Sequence, residues 1–187
     1  MTLAPWRSAL ARALHRNRSR AYSRYLQLAT LNLEGKPSNR TVVFRGFVDE
    51  KLQMVSDGRS EKIQQIQACP WAEICWYFTV TREQFRIAGE LTLIGPNNEL
   101  ETIRINAWQA MSENAHQQFY WPHPGHARTD AKAFEPAVIA TNQPPDSFSV
   151  LLLKAHRVEH LELRGNPQNR FVYEWTDGEW TVEEVNP

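Results

Sequence analysis

The chain has 187 residues, 42% hydrophobic and 22% charged, with 21 basic residues balanced by 21 acidic ones. A net charge of +0 argues against a general nucleic-acid or membrane-surface binder, which needs a basic excess. An anion site built from a few converging donors is compatible with it. Length and mix suit one globular domain able to bury a core.

The N-terminal segment MTLAPWRSALARALHRNRSR has no apolar stretch of the kind a secretory signal carries. Trp6, Leu10 and Leu14 recur at helical spacing, and Pro5 suits a first turn, so an amphipathic helix is expected. No apolar run approaches the roughly eighteen residues that a membrane span requires. A cytoplasmic protein is therefore expected, with neither membrane nor nucleic acid among its partners. Three short strands follow, at Tyr25–Leu33, Arg40–Val48 and Leu52–Ser56, separated by EGKPSN and by a tight turn at Asp49-Glu50-Lys51. Ser60 is placed to cap a helix bearing Ile63 and Ile66 on one face, which Pro70 ends.

Trp71–Val80 and Gln84–Ile94 read as strands, and Trp71, Trp76, Tyr77 and Phe78 as core. Asn97–Ser112 reads as a helix, with Leu100, Ile103, Ala107 and Met111 on one face and helical continuation over 113–121. Residues 122–147, rich in proline and poor in periodicity, read as a long loop with a short helix; loops of that length are often functional. Ser149–Lys154, Arg157–Leu163, Arg170–Trp175 and Glu179–Glu183 are four further strand candidates, the last two joined by Asp177-Gly178. About eight or nine strands joined mostly by hairpins, with two or three helices, favour an antiparallel barrel with helices outside.

Several chemistries find no support. The eight glycines never form a phosphate-binding G-x-G-x-x-G or G-x-x-x-x-G-K, and there is no G-x-S-x-G or H-E-x-x-H. Cys69 and Cys75 do not form a C-x-x-C pair and read as small buried hydrophobes. His116, His123 and His126 lack the paired spacing of zinc ligands and read as loop or packing residues, so no metal is expected. The basic residues carry more information. Arg40, Arg45, Arg59, Lys62 and Arg170 fall at strand ends or at the start of the helix after Ser60. A helix N-terminus offers free N–H groups and a positive dipole end, so cations beside it would form a phosphate pocket.

This ordered series resembles the pyridoxamine 5′-phosphate oxidase-like family of FMN-binding split β-barrels, in a branch distinct from the true oxidase. The resemblance runs from about residue 20 to the C-terminus, over a single domain spanning 1–187. RTVVFR, Arg40–Arg45, matches a family strand of the form R-x-V-x-x-K/R; this implies that Arg40, Arg45 and the backbone of Thr41, Val42 and Val43 grip FMN. Val55-Ser56 followed by Arg59-Ser60-Glu61-Lys62 matches the S-R-K turn, with Lys62 at the phosphate-holding lysine. Glu61 replaces the family arginine, and Arg59 is expected to supply that charge. Gln84 in REQF matches a residue at the isoalloxazine edge. Arg170 in NRFVYEW matches a flavin-contacting arginine.

The substrate side of the resemblance is thinner. Trp108 and His116 align near substrate-contacting positions, and Trp121 and His126 near the segment that approaches the partner's flavin. The R-x-H of the true oxidase is replaced by Asn166-Pro167-Gln168. The family implies a mainly β barrel with flanking helices, a homodimer with FMN at the subunit interface, and a flavin oxidoreductase acting on a small substrate. A non-catalytic FMN carrier or sensor and a haem-binding split barrel are the alternatives. Arg40 and Arg45 are five apart and face opposite sides of a regular strand; Arg40 is expected at the phosphate end and Arg45 nearer the ring or the substrate cavity.

Overall fold

The structure, a computed structural model, describes residues 3–135 and 142–187. Residues 136–141, inside the expected loop, lie outside the described residues. Eight antiparallel strands form one sheet in the order β3-β2-β1-β4-β5-β6-β7-β8, and a further pairing of β3 with β6 closes the first six into a barrel. The strands are β1 (Tyr25–Leu31), β2 (Pro37–Val48), β3 (Lys51–Asp57), β4 (Trp71–Phe78), β5 (Glu83–Ile94), β6 (Phe148–Glu162), β7 (Asn169–Thr176) and β8 (Glu179–Val185). The helices are α1 (Trp6–Asn17), α2 (Glu61–Ala68), α3 (Glu101–Gln109) and α4 (Glu113–Gln117). No helix among the described residues is long and apolar enough to cross a membrane.

The barrel interior follows from strand alternation. Leu26, Leu28, Val42, Phe44, Leu52, Met54, Ile74, Trp76, Phe85 and Ile87 point inward and are buried. Helix α1 covers one end with Trp6, Ala9, Leu10 and Ala13. Trp6 meets Trp180 edge-on at 6.1 Å between ring centroids. The same alternation corrects part of the aromatic reading: Trp76 and Phe78 are core, whereas Trp71 and Tyr77 point outward and are 48% and 41% exposed. Cys69 and Cys75 are free thiols, each only half-buried.

The two strands expected at Ser149–Lys154 and Arg157–Leu163 are one, the fifteen-residue β6. An irregularity at His156 keeps it continuous: Gly89 pairs with Ala155, but Ala88 pairs with Arg157. The first half of β6 pairs with β3 on one side and β5 on the other. It is buried on both faces. Leu151 and Leu153 enter the barrel, while Phe148, Val150 and Leu152 enter a second cluster outside it with Trp108, Met111 and Phe119. Arg104 of α3, buried, fixes this layer by donating to the carbonyl of Phe148 at 2.7 Å. The β7–β8 hairpin turns through Asp177 and Gly178, both at positive φ (54° and 87°), as a two-residue turn matched to the strand twist requires.

At the β6 irregularity the chains approach closely. A Cβ added to Gly89 would overlap the backbone carbonyl oxygen of Lys154, and a backbone atom cannot swing aside as a side-chain tip can. Gly89→Ala is expected to destabilise the protein by about 2–3 kcal/mol, the upper range for overpacking. Urea denaturation compared with Ala88→Gly, which leaves that contact open, checks it.

Candidate functional site

Strands β2 and β3 pair at Phe44↔Met54, Gly46↔Gln53, Phe47↔Leu52 and Val48↔Lys51, and then part. Beyond that point β2 pairs only with β1, from Pro37 to Val43, while β3 pairs only with β6. The two strand edges that face each other across this split therefore lack strand partners, and every second peptide group points its N–H and C=O into the gap. A cavity of about 660 Å³ occupies it. Arg40, Thr41, Val42, Val43 and Arg45 line one wall, and Val55, Ser56, Asp57, Ser60 and Lys62 another; a third is the loop from Trp121 to Thr129.

Arg45 is the extra residue of a bulge between Phe44 and Gly46. Because the bulge begins at Arg45, it does not disturb the alternation before it. Arg40 is half-buried on the inner side and Arg45 is exposed on the outer. Arg45 has no hydrogen bond or ion pair among the described residues. Partial desolvation of the guanidinium against the strand, and then the nearby Arg24 charge, push it below the ordinary value, with Tyr25 working the other way. Arg40 instead donates to four acceptors: the Leu28 carbonyl at 3.2 Å, Thr30 Oγ1 at 2.6 Å, Ser38 Oγ at 2.9 Å and Gln65 Oε1 at 2.8 Å.

Lys62 sits in the first turn of α2. Its Nζ donates to Ser56 Oγ at 3.0 Å and Ser60 Oγ at 2.8 Å. Burial first, and the Arg40 charge second, hold its ammonium below the ordinary lysine value, although Asp57 works in the opposite direction. Ser60 occupies the N-cap position but its side chain makes no capping bond. Its hydroxyl donates to the Asp57 carbonyl at 2.7 Å and accepts from Lys62, so the expected cap is a lysine holder instead.

Arg59 departs from expectation. It is not in the cavity wall. Its guanidinium grips Asp57 with two bonds, Nε to Oδ1 at 3.0 Å and Nη2 to Oδ2 at 2.6 Å, and Nη2 also donates to the Trp121 carbonyl at 3.1 Å. It thus occupies both oxygens of the one carboxylate among the described residues of the wall and ties the loop to the β3–α2 turn. Trp108 and His116 are corrected as pocket residues. Trp108 is 0% exposed and His116 3%, stacked on each other at 3.8 Å in the second core. The resemblance aligns both near substrate-contacting positions, but here Trp108 packs edge-on against Phe148 of β6 at 5.0 Å between ring centroids. Trp121 and His126 do line the cavity; His126 stacks on His123 at 4.0 Å.

Gln84 and Arg170 lie elsewhere. Tyr77, Gln84, Leu161 and Arg170 form one row across β4, β5, β6 and β7 on the outer face of the sheet, and Arg170 is paired with Glu159 at 2.5 Å. Residues that sequence reasoning missed are Asp57, Gln65 and Thr30. Asp57, two before Arg59, carried an available signal: the spacing suits an aspartate that accepts from the backbone N–H two residues on, as it does from Arg59 N at 2.8 Å.

A family model for the FMN-binding domain of pyridoxamine 5′-phosphate oxidase matches residues 3–95. The pyridoxine/pyridoxamine 5′-phosphate oxidase 2 of Arabidopsis thaliana is 37% identical over 195 aligned residues, covering 99% of this chain and 98% of its own. The chain belongs to the pyridoxamine 5′-phosphate oxidase-like family of FMN-binding split barrels. The crystal structure of a pyridoxamine 5′-phosphate oxidase-related, FMN-binding protein from Nostoc punctiforme PCC 73102 superposes with a TM-score of 0.97 at 53% identity, covering all of both chains. PhzG from Burkholderia lata 383 shares the fold, with a TM-score of 0.83 at 20% identity over 100% of this chain and 98% of its own.

FMN is thus the cofactor of this split barrel, and the donor set of the cavity fits it. Two cations stand at one end with no carboxylate partner among the described residues, and strand edges with free peptide groups lie beside them. In the apoprotein that arrangement has a cost, since a half-buried ammonium held only by hydroxyls is poorly compensated. A lysine whose folded pKa lies below its unfolded one carries its full penalty below the folded value. The penalty fades as pH rises towards the unfolded value of about 10.4. Lys62→Met is therefore expected to stabilise apoprotein at neutral pH, with the gain shrinking as pH approaches about 10. Thermal melts of apoprotein across that range test it.

Proposed function

We propose that this flavoprotein is an FMN-dependent oxidoreductase acting on a small substrate, with the flavin phosphate held at the Lys62 end of the cavity. The observation that carries this reading is the pair Lys62 and Arg40, two cations in one wall whose acceptors are all uncharged. Lys62, Ser56, Ser60 and the first peptide groups of α2 would hold the phosphate, since N–H groups at a helix start favour an anion. The free peptide groups of Thr41–Val43 and Val55 would orient the flavin between the parted strands. Trp121 and His126, on the loop side, would bound the substrate space, and Arg45 offers it an unpaired cation. When bound, FMN supplies the redox chemistry, accepting a hydride from the substrate and passing electrons to oxygen or another acceptor.

Gln84 and Arg170 motivate a homodimer. Neither residue lines the cavity of its own chain; both stand in the outer row of the sheet, on β5 and β7. A second copy docking on the outer sheet face, where Tyr25 and Tyr77 stand exposed, would bring its Gln84 and Arg170 to the cavity.

The name of the Arabidopsis relative makes the 5′-phosphates of pyridoxine and pyridoxamine the first substrates to try. Asn166-Pro167-Gln168, in place of the oxidase's R-x-H, motivates trying other amines beside them. A second reading, an FMN carrier without turnover, draws on the burial of Trp108 and His116, which leaves fewer polar groups for a substrate.

Purified protein is expected to show flavin absorption bands and no Soret band. Lys62→Ala should weaken FMN binding about 10–100-fold, the worth of one charge-assisted hydrogen bond. Fluorescence titration of apoprotein measures that loss, and an unchanged affinity overturns the phosphate assignment. Anaerobic bleaching by an amine or a reduced nicotinamide separates enzyme from carrier: reduction by a donor supports the first, and failure with all donor classes supports the second.

A further inference from the structure

We infer that Gln65, together with Thr30, is a positioning residue for the flavin phosphate: a buried neutral acceptor that holds the Arg40 guanidinium in the cavity wall without cancelling its charge. The inference rests on the placement of the phosphate at the Lys62 end. Gln65 lies one helical turn after Lys62 on α2 and is 5% exposed. Its Oε1 accepts from Arg40 Nη2 at 2.8 Å and from Thr30 Oγ1 at 2.7 Å. Thr30, 3% exposed, in turn accepts from Arg40 Nη1 at 2.6 Å. The three side chains form a closed set in which each fixes the other two.

What distinguishes this set is the charge of the acceptor. Several other arginines of the chain are held by carboxylates: Arg59 by Asp57, Arg86 by Glu73, Arg104 by Glu101 and Arg170 by Glu159; Arg18 and Arg164, which donate to uncharged acceptors, do so at the exposed surface. Glutamate has the shape of glutamine and would hold a guanidinium more strongly. An acceptor chosen only for grip would be a carboxylate. A neutral one gives the same geometry and leaves the positive charge available to an approaching dianion. The cavity wall repeats the device. Lys62 is held by two hydroxyls, and Asp57, the carboxylate nearest to it in the wall, is occupied by Arg59.

The test is a comparison of FMN with riboflavin, which lacks the phosphate. Gln65→Glu is close to isosteric and keeps both accepted bonds, so its apoprotein is expected to melt at or above the wild-type temperature. Its preference for FMN over riboflavin should fall about tenfold, with riboflavin affinity unchanged. Gln65→Leu, which frees Arg40 to move, should also lose FMN preference while the apoprotein loses stability. A wild-type FMN-to-riboflavin ratio in Gln65→Glu overturns the inference, and so does an equal loss for both ligands, which would mark Gln65 as a packing residue. Lys62→Ala is run in parallel. If it keeps the wild-type ratio, the phosphate does not lie at this end and the placement itself fails; if it loses the ratio while Gln65→Glu does not, only the role of Gln65 fails.

Discussion

The double pairing of β6 is the constraint on which the architecture depends. One strand of fifteen residues hydrogen-bonds to β3 and β5 along its first half and to β5 and β7 along its second. By taking β3 away from β2, it closes the barrel and opens the split in the same act. A β3 that stayed paired with β2 over its full length would leave no free strand edges and no cavity between them. The burial of β6 on both faces has a second consequence. Its outward residues Phe148, Val150 and Leu152 need a cover, and α3 with the segment that follows it supplies Trp108, Met111 and Phe119. The loop that completes the cavity leaves that layer and is tied back by the bond from Ser147 Oγ to the Phe119 carbonyl at 2.6 Å.

The electrostatics of the site depend on where carboxylates are absent or already engaged. A lysine and an arginine half-buried side by side repel each other, and burial penalises both. Sites of this kind are kept when a bound anion compensates them. Arg59 contributes without entering the wall: by holding both oxygens of Asp57 it prevents the aspartate from turning to Lys62. The charge that the family places next to the lysine, and that Glu61 cannot provide, is thus not replaced at the same point. Removing a competing negative charge works in the same direction as adding a positive one.

Much of the barrel was legible because its strands alternate cleanly and its turns carry Gly, Pro and Asp in the positions that hairpins need. The boundary inside β6 was not legible. Lys154, His156 and Arg157 look like a polar break, whereas the structure accommodates them as one irregularity in a continuous strand. The site divides in the same manner. Arg40, Ser56, Ser60 and Lys62 were readable because they follow one another along neighbouring elements. Trp108 and His116 were misplaced because alignment with a family's substrate positions does not reveal which face of the segment is covered, and here both are buried. Gln65 and Thr30 could not be singled out at all, since a glutamine among three in EKIQQIQ and a threonine in a strand have no local mark of what they hold.

The outer face of the sheet poses the last physical question. It carries Tyr25, Trp71 and Tyr77, each more than 40% exposed, interleaved with a charge network in which Arg86 meets Glu73 and Glu159, and Glu159 also meets Arg157 and Arg170. Exposed ion pairs contribute little to the stability of a single chain, and large exposed aromatics contribute nothing to its core. Both become informative at an interface, where aromatic anchors supply buried area and paired charges set the register. The row that carries Tyr77 also carries Gln84 and Arg170. In the proposed dimer, one docking event therefore covers the aromatics and delivers those two polar side chains to the neighbouring flavin, so that cofactor binding and subunit assembly are coupled through a single face.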